Sequence, residues 1–191
     1  MNILLLGPQG SGKGTQANRI AAEYGIPHIA SGDMLREAMA AGTRLGLQVK
    51  PIYDAGELVP DEIMVGLIRE RLEEPDTTEG FVLDGFPRTI GQAEALDATL
   101  REIGRELTVV FALQVPDEIC VQRLLGRATV EGRPDDTPEA IRKRLEIYHR
   151  ETEPVIEHYR TQGILVTIHG EATPNEVFAE LQAALEQAAV R

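Results

Sequence analysis

The segment Gly7-Pro8-Gln9-Gly10-Ser11-Gly12-Lys13-Gly14 constrains this chain more than any other. Before it, Met1 to Leu6 is an apolar run stopped by Gly7-Pro8, which predicts a buried strand ending in a turn. After it, Ala17, Ile20, Ala21 and Tyr24 recur at helical spacing, and Gly25 stands where a left-handed helix stop belongs. The order is therefore strand, glycine loop, helix. Glycines let the backbone curl so that successive N–H groups face one point, while the helix N-terminus adds unpaired donors and partial positive charge. Such a loop suits a chain of phosphates, with Lys13 reaching the β and γ groups. The segment nearly fits the Walker A pattern G-x-x-x-x-G-K-S/T, with Thr15 one place later than the hydroxyl residue of that pattern. A glycine turn that binds nothing is the plainer reading, and the order of strand, loop, lysine and helix speaks against it.

Further runs of strand character are Ile26 to Ala30, Phe81 to Leu83, Val109 to Val115 and Ile164 to Ile168, separated by helically patterned segments. Five strands alternating with helices predict an α/β fold, a doubly wound parallel sheet flanked by helices. Two stretches read as insertions. Ser31 to about Glu73 holds helix starts at Ser31, after Thr43 and at Pro60-Asp61-Glu62, with no strand among them. Ala128 to Asp136 is short and polar, contains Gly132 and Pro134, and lies between a helix ending near Arg127 and one opening at Thr137-Pro138-Glu139. It reads as a mobile flap.

The net charge of −12 argues against a general nucleic-acid or membrane surface, so any anion site must be local. The single cysteine, Cys120, allows neither an internal disulfide nor a cysteine-rich zinc site. No basic stretch precedes the first apolar run, and no segment approaches the roughly 20 apolar residues of a membrane-spanning helix. A cytoplasmic protein of one domain is expected, and its 191 residues suffice for a core.

Phe81-Val82-Leu83-Asp84 is an apolar strand ending in a carboxylate, the position from which an aspartate holds magnesium through water. Asp84-Gly85-Phe86-Pro87-Arg88-Thr89 continues as a phosphate-facing loop. With Gly7 to Gln16, and with Ser31-Gly32-Asp33-Met34-Leu35-Arg36, these segments make the chain resemble a short-form adenylate kinase, a P-loop nucleoside monophosphate kinase, along essentially its whole length.

The resemblance implies reversible transfer of the terminal phosphoryl group of ATP to AMP, giving two ADP, with magnesium as cofactor and no zinc. It divides the chain into a core (1–30, 60–126 and 137–191), an AMP-binding insertion (31–59) and a short lid (127–136). ATP is implied at Gly10, Ser11, Gly12, Lys13, Gly14, Thr15, Arg123, Arg127 and Ala172, with Arg123 on the phosphates, Arg127 along adenine and ribose, and magnesium near Thr15 and Asp84. AMP is implied at Ser31, Arg36, Glu57, Leu58, Val59, Gly85, Phe86, Pro87, Arg88 and Gln92, with Arg133 and Arg144 closing over the phosphates. The catalytic set is Lys13, Arg88, Arg123, Arg133 and Arg144. Gln92 lies four residues after Arg88, on the same helix face, where an amide can donate and accept against a base edge.

Only five residues separate Arg127 from Arg133, so the lid is expected to be a loop. A monomer is implied, with ATP, AMP and ADP as small-molecule partners and neither nucleic acid nor membrane among them. His28, His149, His158 and His169 receive no catalytic role, because an ionised phosphate acceptor requires no general base. Gly42, Gly46 and Gly56 are hinge or helix-end candidates. Rival readings are a uridylate, cytidylate or guanylate kinase, and a P-loop switch or binding module. The chain lacks the guanine-reading Asn-Lys-x-Asp of a GTPase.

Overall fold

The computed structural model describes residues 1–132 and 136–189. Its five strands are β1 (Asn2–Leu6), β2 (His28–Ala30), β3 (Phe81–Asp84), β4 (Val109–Gln114) and β5 (Leu165–His169). They form one parallel sheet in the order β2-β3-β1-β4-β5. Every residue from Ile3 to Leu6 is buried, because helices cover both sheet faces and leave no polar side to alternate with. Alternate residues still part company. Leu4, Leu6, Phe81, Leu83 and Val110 enter one core, and Ile3, Leu5, Val82, Val109 and Phe111 enter the other. Fully burying each such side chain favours folding by about 1.5–3 kcal/mol.

The helices follow the expected punctuation. They are α1 (Lys13–Tyr24), α2 (Ser31–Ala40), α3 (Arg44–Asp54), α4 (Asp61–Leu72), α5 (Ile90–Glu102), α6 (Asp117–Glu131), α7 (Pro138–Ile147), α8 (Glu153–Thr161) and α9 (Pro174–Ala189). Thr43 caps α3 by accepting from the Gly46 N–H at 3.0 Å, Thr89 caps α5 from Gln92 at 3.1 Å, and Thr137 caps α7 from Ala140 at 3.1 Å. A 3-10 turn spans Pro75–Thr77, and a π-helical stretch, Tyr148–Thr152, joins α7 to α8.

Two boundaries differ from expectation. β2 begins at His28 rather than Ile26, since Ile26 and Pro27 serve as the approach from the Gly25 helix stop. More consequentially, α6 continues to Glu131 instead of ending near Arg127, so most of the five-residue spacer before Arg133 is helix and not loop. Ala128 to Glu131 contains no helix breaker, and the stop comes at Gly132, whose φ of 61° is left-handed. Arg133 and Pro134 lie outside the described residues.

The sheet order places β1 beside β3, although their outgoing connections run to opposite sides, β1 toward β2 and β3 toward β4. A crevice opens at the carboxyl ends of two such strands. The register pairs Leu5 with Asp84, which brings the glycine loop and the β3 carboxylate to one place.

Of the hinge candidates, Gly42 and Gly56 adopt positive φ at helix ends, whereas Gly46 is helical. A Cβ on Gly46 would lie 2.0 Å from the Ala38 carbonyl oxygen, so glycine there permits α3 to touch α2. Gly46→Ala is expected to destabilise the protein by about 3 kcal/mol through overpacking. Gly66→Ala, on the exposed face of α4 with nothing within 4 Å of the added carbon, is expected to stabilise it by about 0.5–1 kcal/mol. Urea unfolding of both variants reads out the contrast.

Candidate active site

A cavity of about 440 Å3 opens at this crevice, walled by the glycine loop, the Asp84–Arg88 segment, α2, the end of α3, α6 and α7. The loop has its shape because its glycines approach other backbone closely. A Cβ on Gly10 would meet the Cys120 carbonyl oxygen at 2.6 Å, and one on Gly7 would meet that of Leu113 at 2.8 Å. Lys13 opens α1 and bends back to donate to the carbonyls of Gly7 at 2.7 Å and Pro8 at 2.9 Å. Burial pushes its pKa down to about 8; Arg88 and Arg127 add to the effect, and Asp84 opposes it.

Asp84 ends β3 with only 13% of its side chain exposed. Burial acts to raise its pKa, but His28, Lys13 and Arg88 together hold it below the usual carboxylate range. His28 Nε2 lies 3.6 Å from Asp84, and His28 Nδ1 is 2.8 Å from Asn18 Oδ1. His28, expected to be structural or solvent-facing, thus borders the cavity beside its carboxylate. An ionised carboxylate and the Thr15 hydroxyl in one cavity are oxygen donors suited to a hard cation held through water. Among the described residues, no cluster of three His, Cys, Asp or Glu side chains could itself grip a metal ion.

The arginines arrive from four elements. Arg88, in the loop after β3, donates from Nε to the Gly85 carbonyl at 2.7 Å, and burial lowers its pKa. Arg36, on α2, donates to the Tyr53 hydroxyl and pairs with Asp33. Arg127, on α6, makes a two-pronged bond to Asp136 at 2.8 and 2.9 Å. Arg144, on α7, reaches the same carboxylate at 3.1 Å and the Tyr53 carbonyl at 3.3 Å. Asp136 is fully buried and joins the two helices. Arg123 takes another direction: it donates to the carbonyls of Gly10 and Ser11, each at 3.4 Å, and of Gly170 at 3.0 Å.

Of the residues expected from sequence, Gly10, Gly12, Lys13, Gly14, Thr15, Arg36, Leu58, Asp84, Gly85, Phe86, Pro87, Arg88, Arg123, Arg127 and Arg144 border this one cavity. Ser11, Ser31, Glu57, Val59, Gln92 and Ala172 do not. Ser11 and Ser31 are buried, Glu57 pairs with Lys143 at 3.2 Å, and Ala172 is exposed. The Gln92 amide is buried with its oxygen accepting from the Arg88 N–H and its nitrogen donating to Asp61, each at 2.7 Å. Arg133 lies outside the described residues. Sequence reasoning missed Tyr53, Tyr148 and Thr152, which line the cavity from α3 and the π-helical stretch. Thr152 donates to the Arg88 carbonyl at 2.8 Å. Only the fold brings these residues near the loop, so local pattern carried no signal for them.

The adenylate kinase family model matches residues 5–164. The chain belongs to the adenylate kinase family. It is 48% identical over 186 residues to an adenylate kinase of Stenotrophomonas maltophilia (strain K279a), covering 97% of this chain and 100% of the relative. Adenylate kinases of Archaeoglobus fulgidus, at 43% identity over 98% of this chain and 99% of the relative, and Kosmotoga olearia, at 44% over 95% and 99%, are similar throughout. The Walker A departure, with Thr15 following Gly14, therefore sits in a member of the family, on a loop where Gly7 and Gly10 are required by contact.

With its pKa pushed down to about 8, Lys13 is partly deprotonated in the free protein at pH 8, and a polyphosphate beside it favours the ammonium form. Binding of a nucleoside triphosphate at pH 8 is therefore expected to take up protons. Calorimetry in two buffers of different ionisation enthalpy measures the uptake, which Lys13→Met should abolish.

Proposed function

We propose that the protein catalyses reversible transfer of the terminal phosphoryl group of magnesium-ATP to AMP, giving two ADP. The observation that carries this reading is the meeting, in one cavity, of a glycine-loop lysine with arginines from four elements. Arg36 and Arg144 meet at Tyr53, Arg127 shares Asp136 with Arg144, and Arg88 and Arg123 join them along the same cavity, which is positive charge for two nucleotides and not one. The fork geometry of guanidinium suits phosphate oxygens in pairs.

In this reading the donor phosphates occupy the glycine loop, with magnesium arriving as part of the ATP substrate near Thr15 and Asp84. The acceptor phosphate lies against Arg36, Arg88 and Arg144. An oxygen of AMP attacks the γ-phosphorus, a new P–O bond forms, and the bond to the bridging oxygen of the departing ADP breaks. Charge spreads over the transferred group, and Lys13 and the arginines stabilise it from fixed positions. The acceptor oxygen is already ionised at neutral pH, so no side chain has to remove a proton.

For two arginines the contacts favour roles other than those the resemblance implies. Arg123 spends its donors on carbonyls where the loop meets the turn after β5, a place suited to the donor base and ribose. Arg127 acts electrostatically on Lys13 and so belongs with the phosphates. Gln92 is oriented by one partner that only donates and one that only accepts, leaving one N–H and one lone pair in the arrangement that complements the N1 and 6-amino edge of adenine.

In this reading the insertion 31–59 and the described part of the lid, 127–132 and 136, close over the nucleotides and exclude water, which would otherwise hydrolyse ATP. Contacts of α3 and the segment after it with α7 support closure: Tyr53 meets Arg144, and Glu57 meets Lys143. One cavity holds both sites, so a monomer suffices. No helix among the described residues is long and apolar enough to cross a membrane.

With magnesium and ATP, the protein is expected to make nucleoside diphosphate rapidly from AMP and poorly from UMP, CMP or GMP, as followed by chromatography. Lys13→Ala and Arg88→Ala should each lower kcat/KM by roughly 10^2 to 10^3. Turnover with UMP or CMP would move the substrate, and ATP binding without transfer to any acceptor would overturn the enzyme reading.

A further inference from the structure

Tyr53 stands at the end of α3, where sequence pattern gives it no role, yet it lines the cavity between two arginines of the acceptor side. Arg36 donates to its hydroxyl oxygen. The Arg144 guanidinium carbon lies 5.3 Å from the centre of its ring, and Arg144 also donates to its carbonyl at 3.3 Å. The charge of Arg88 is close enough to be felt at Tyr53 as well. One tyrosine therefore lies among three guanidinium groups from three different elements.

The hydrogen-bond inventory of that hydroxyl is incomplete. Its oxygen accepts from Arg36, which leaves its own proton to donate, and among the described residues no acceptor takes it. A hydroxyl that bordered arginines only to hold them would have been served as well by a carboxylate, which pairs with guanidinium more strongly. Carboxylates already pair two of the three guanidinium groups, Asp33 with Arg36 and Asp136 with Arg144, while among the described residues Arg88 has only the Gly85 carbonyl as a hydrogen-bond acceptor. A neutral donor amid cations is a place built for an anion brought in from outside. It adds a hydrogen bond to that anion without cancelling the positive charge that attracts it.

Resting on the acceptor site proposed above, we infer that Tyr53 is a direct ligand of the acceptor phosphate, its O–H donating to a phosphate oxygen beside Arg36, Arg88 and Arg144. Its ring remains under Arg144 and keeps that side chain turned toward the cavity. Hydrogen bonds to charged groups are the stronger class, and losing one that is desolvated lowers affinity by about tenfold or more.

Tyr53→Phe keeps the ring and removes only the hydroxyl. The kcat/KM for AMP is to be measured in the natural protein, Tyr53→Phe, Arg36→Ala and the double variant, with ATP affinity measured by calorimetry in each. Tyr53→Phe should lower kcat/KM for AMP about tenfold in the natural background, and at least several-fold in the Arg36→Ala background, with ATP affinity unmoved. An unchanged kcat/KM would overturn the proposal. So would a loss that vanishes once Arg36 is removed, since Tyr53 would then act only through Arg36, or a matching loss of ATP affinity, which marks a structural clasp. A natural protein that does not use AMP overturns the acceptor reading itself, and that outcome is visible before any variant is made.

Discussion

The site depends on holding several cations close together without neutralising them. In a chain of net charge −12, carboxylates could have silenced every arginine in the cavity. Among the described residues, however, Lys13 and Arg88 form no ion pair within 4 Å, and both are tethered by carbonyl oxygens of the loops that carry them. Carbonyls hold a cation in direction while leaving its charge for a ligand. The lowered pKa values of Lys13 and Arg88 are the signature of that arrangement: burial and mutual repulsion are offset only in part, by Asp84, until an anion arrives. Where carboxylates do intervene, they work at the margins. Asp136 ties α6 to α7 through Arg127 and Arg144, and Asp33 steadies Arg36.

The scaffold supplies the rigidity this requires. A repelling cluster would drift apart on mobile loops, but here its members are anchored to the carboxyl ends of strands whose side chains are buried on both faces. The pairing of Leu5 with Asp84 fixes the distance between the glycine loop and the β3 loop, and the close approach of Gly10 to Cys120 fixes the loop against α6. The catalytic geometry therefore inherits its precision from hydrophobic packing that has no chemical role of its own. The wall proposed for the acceptor is built differently, from short helices of the insertion meeting α7.

What sequence could reveal divides along the same line. Strand, glycine loop and helix are local signals, and so are the apolar run ending at Asp84 and the threonine caps; each lay where local chemistry put it. The end of α6 was misjudged because polarity was read as a loop, although a helix continues until a residue such as Gly132 stops it. The different partners of Arg123 and Arg127 could not be read from spacing: one helical turn apart, one meets the Gly170 carbonyl and the other the Asp136 carboxylate. Asp61 fixing the amide of Gln92 and Tyr53 meeting Arg144 are likewise long-range contacts, with no periodicity to announce them.

If the preorganised cations do the work, no atom of the protein need bond to phosphorus, and the phosphoryl group passes directly between two nucleotides in one cavity. The stereochemical course of transfer tests this most directly. ATP made chiral at the γ-phosphorus with oxygen isotopes and sulfur is incubated with AMP, and the configuration of the product is determined. A single in-line displacement gives inversion. Retention would mean two displacements through a phosphorylated side chain, and would contradict a mechanism that rests on position and charge alone.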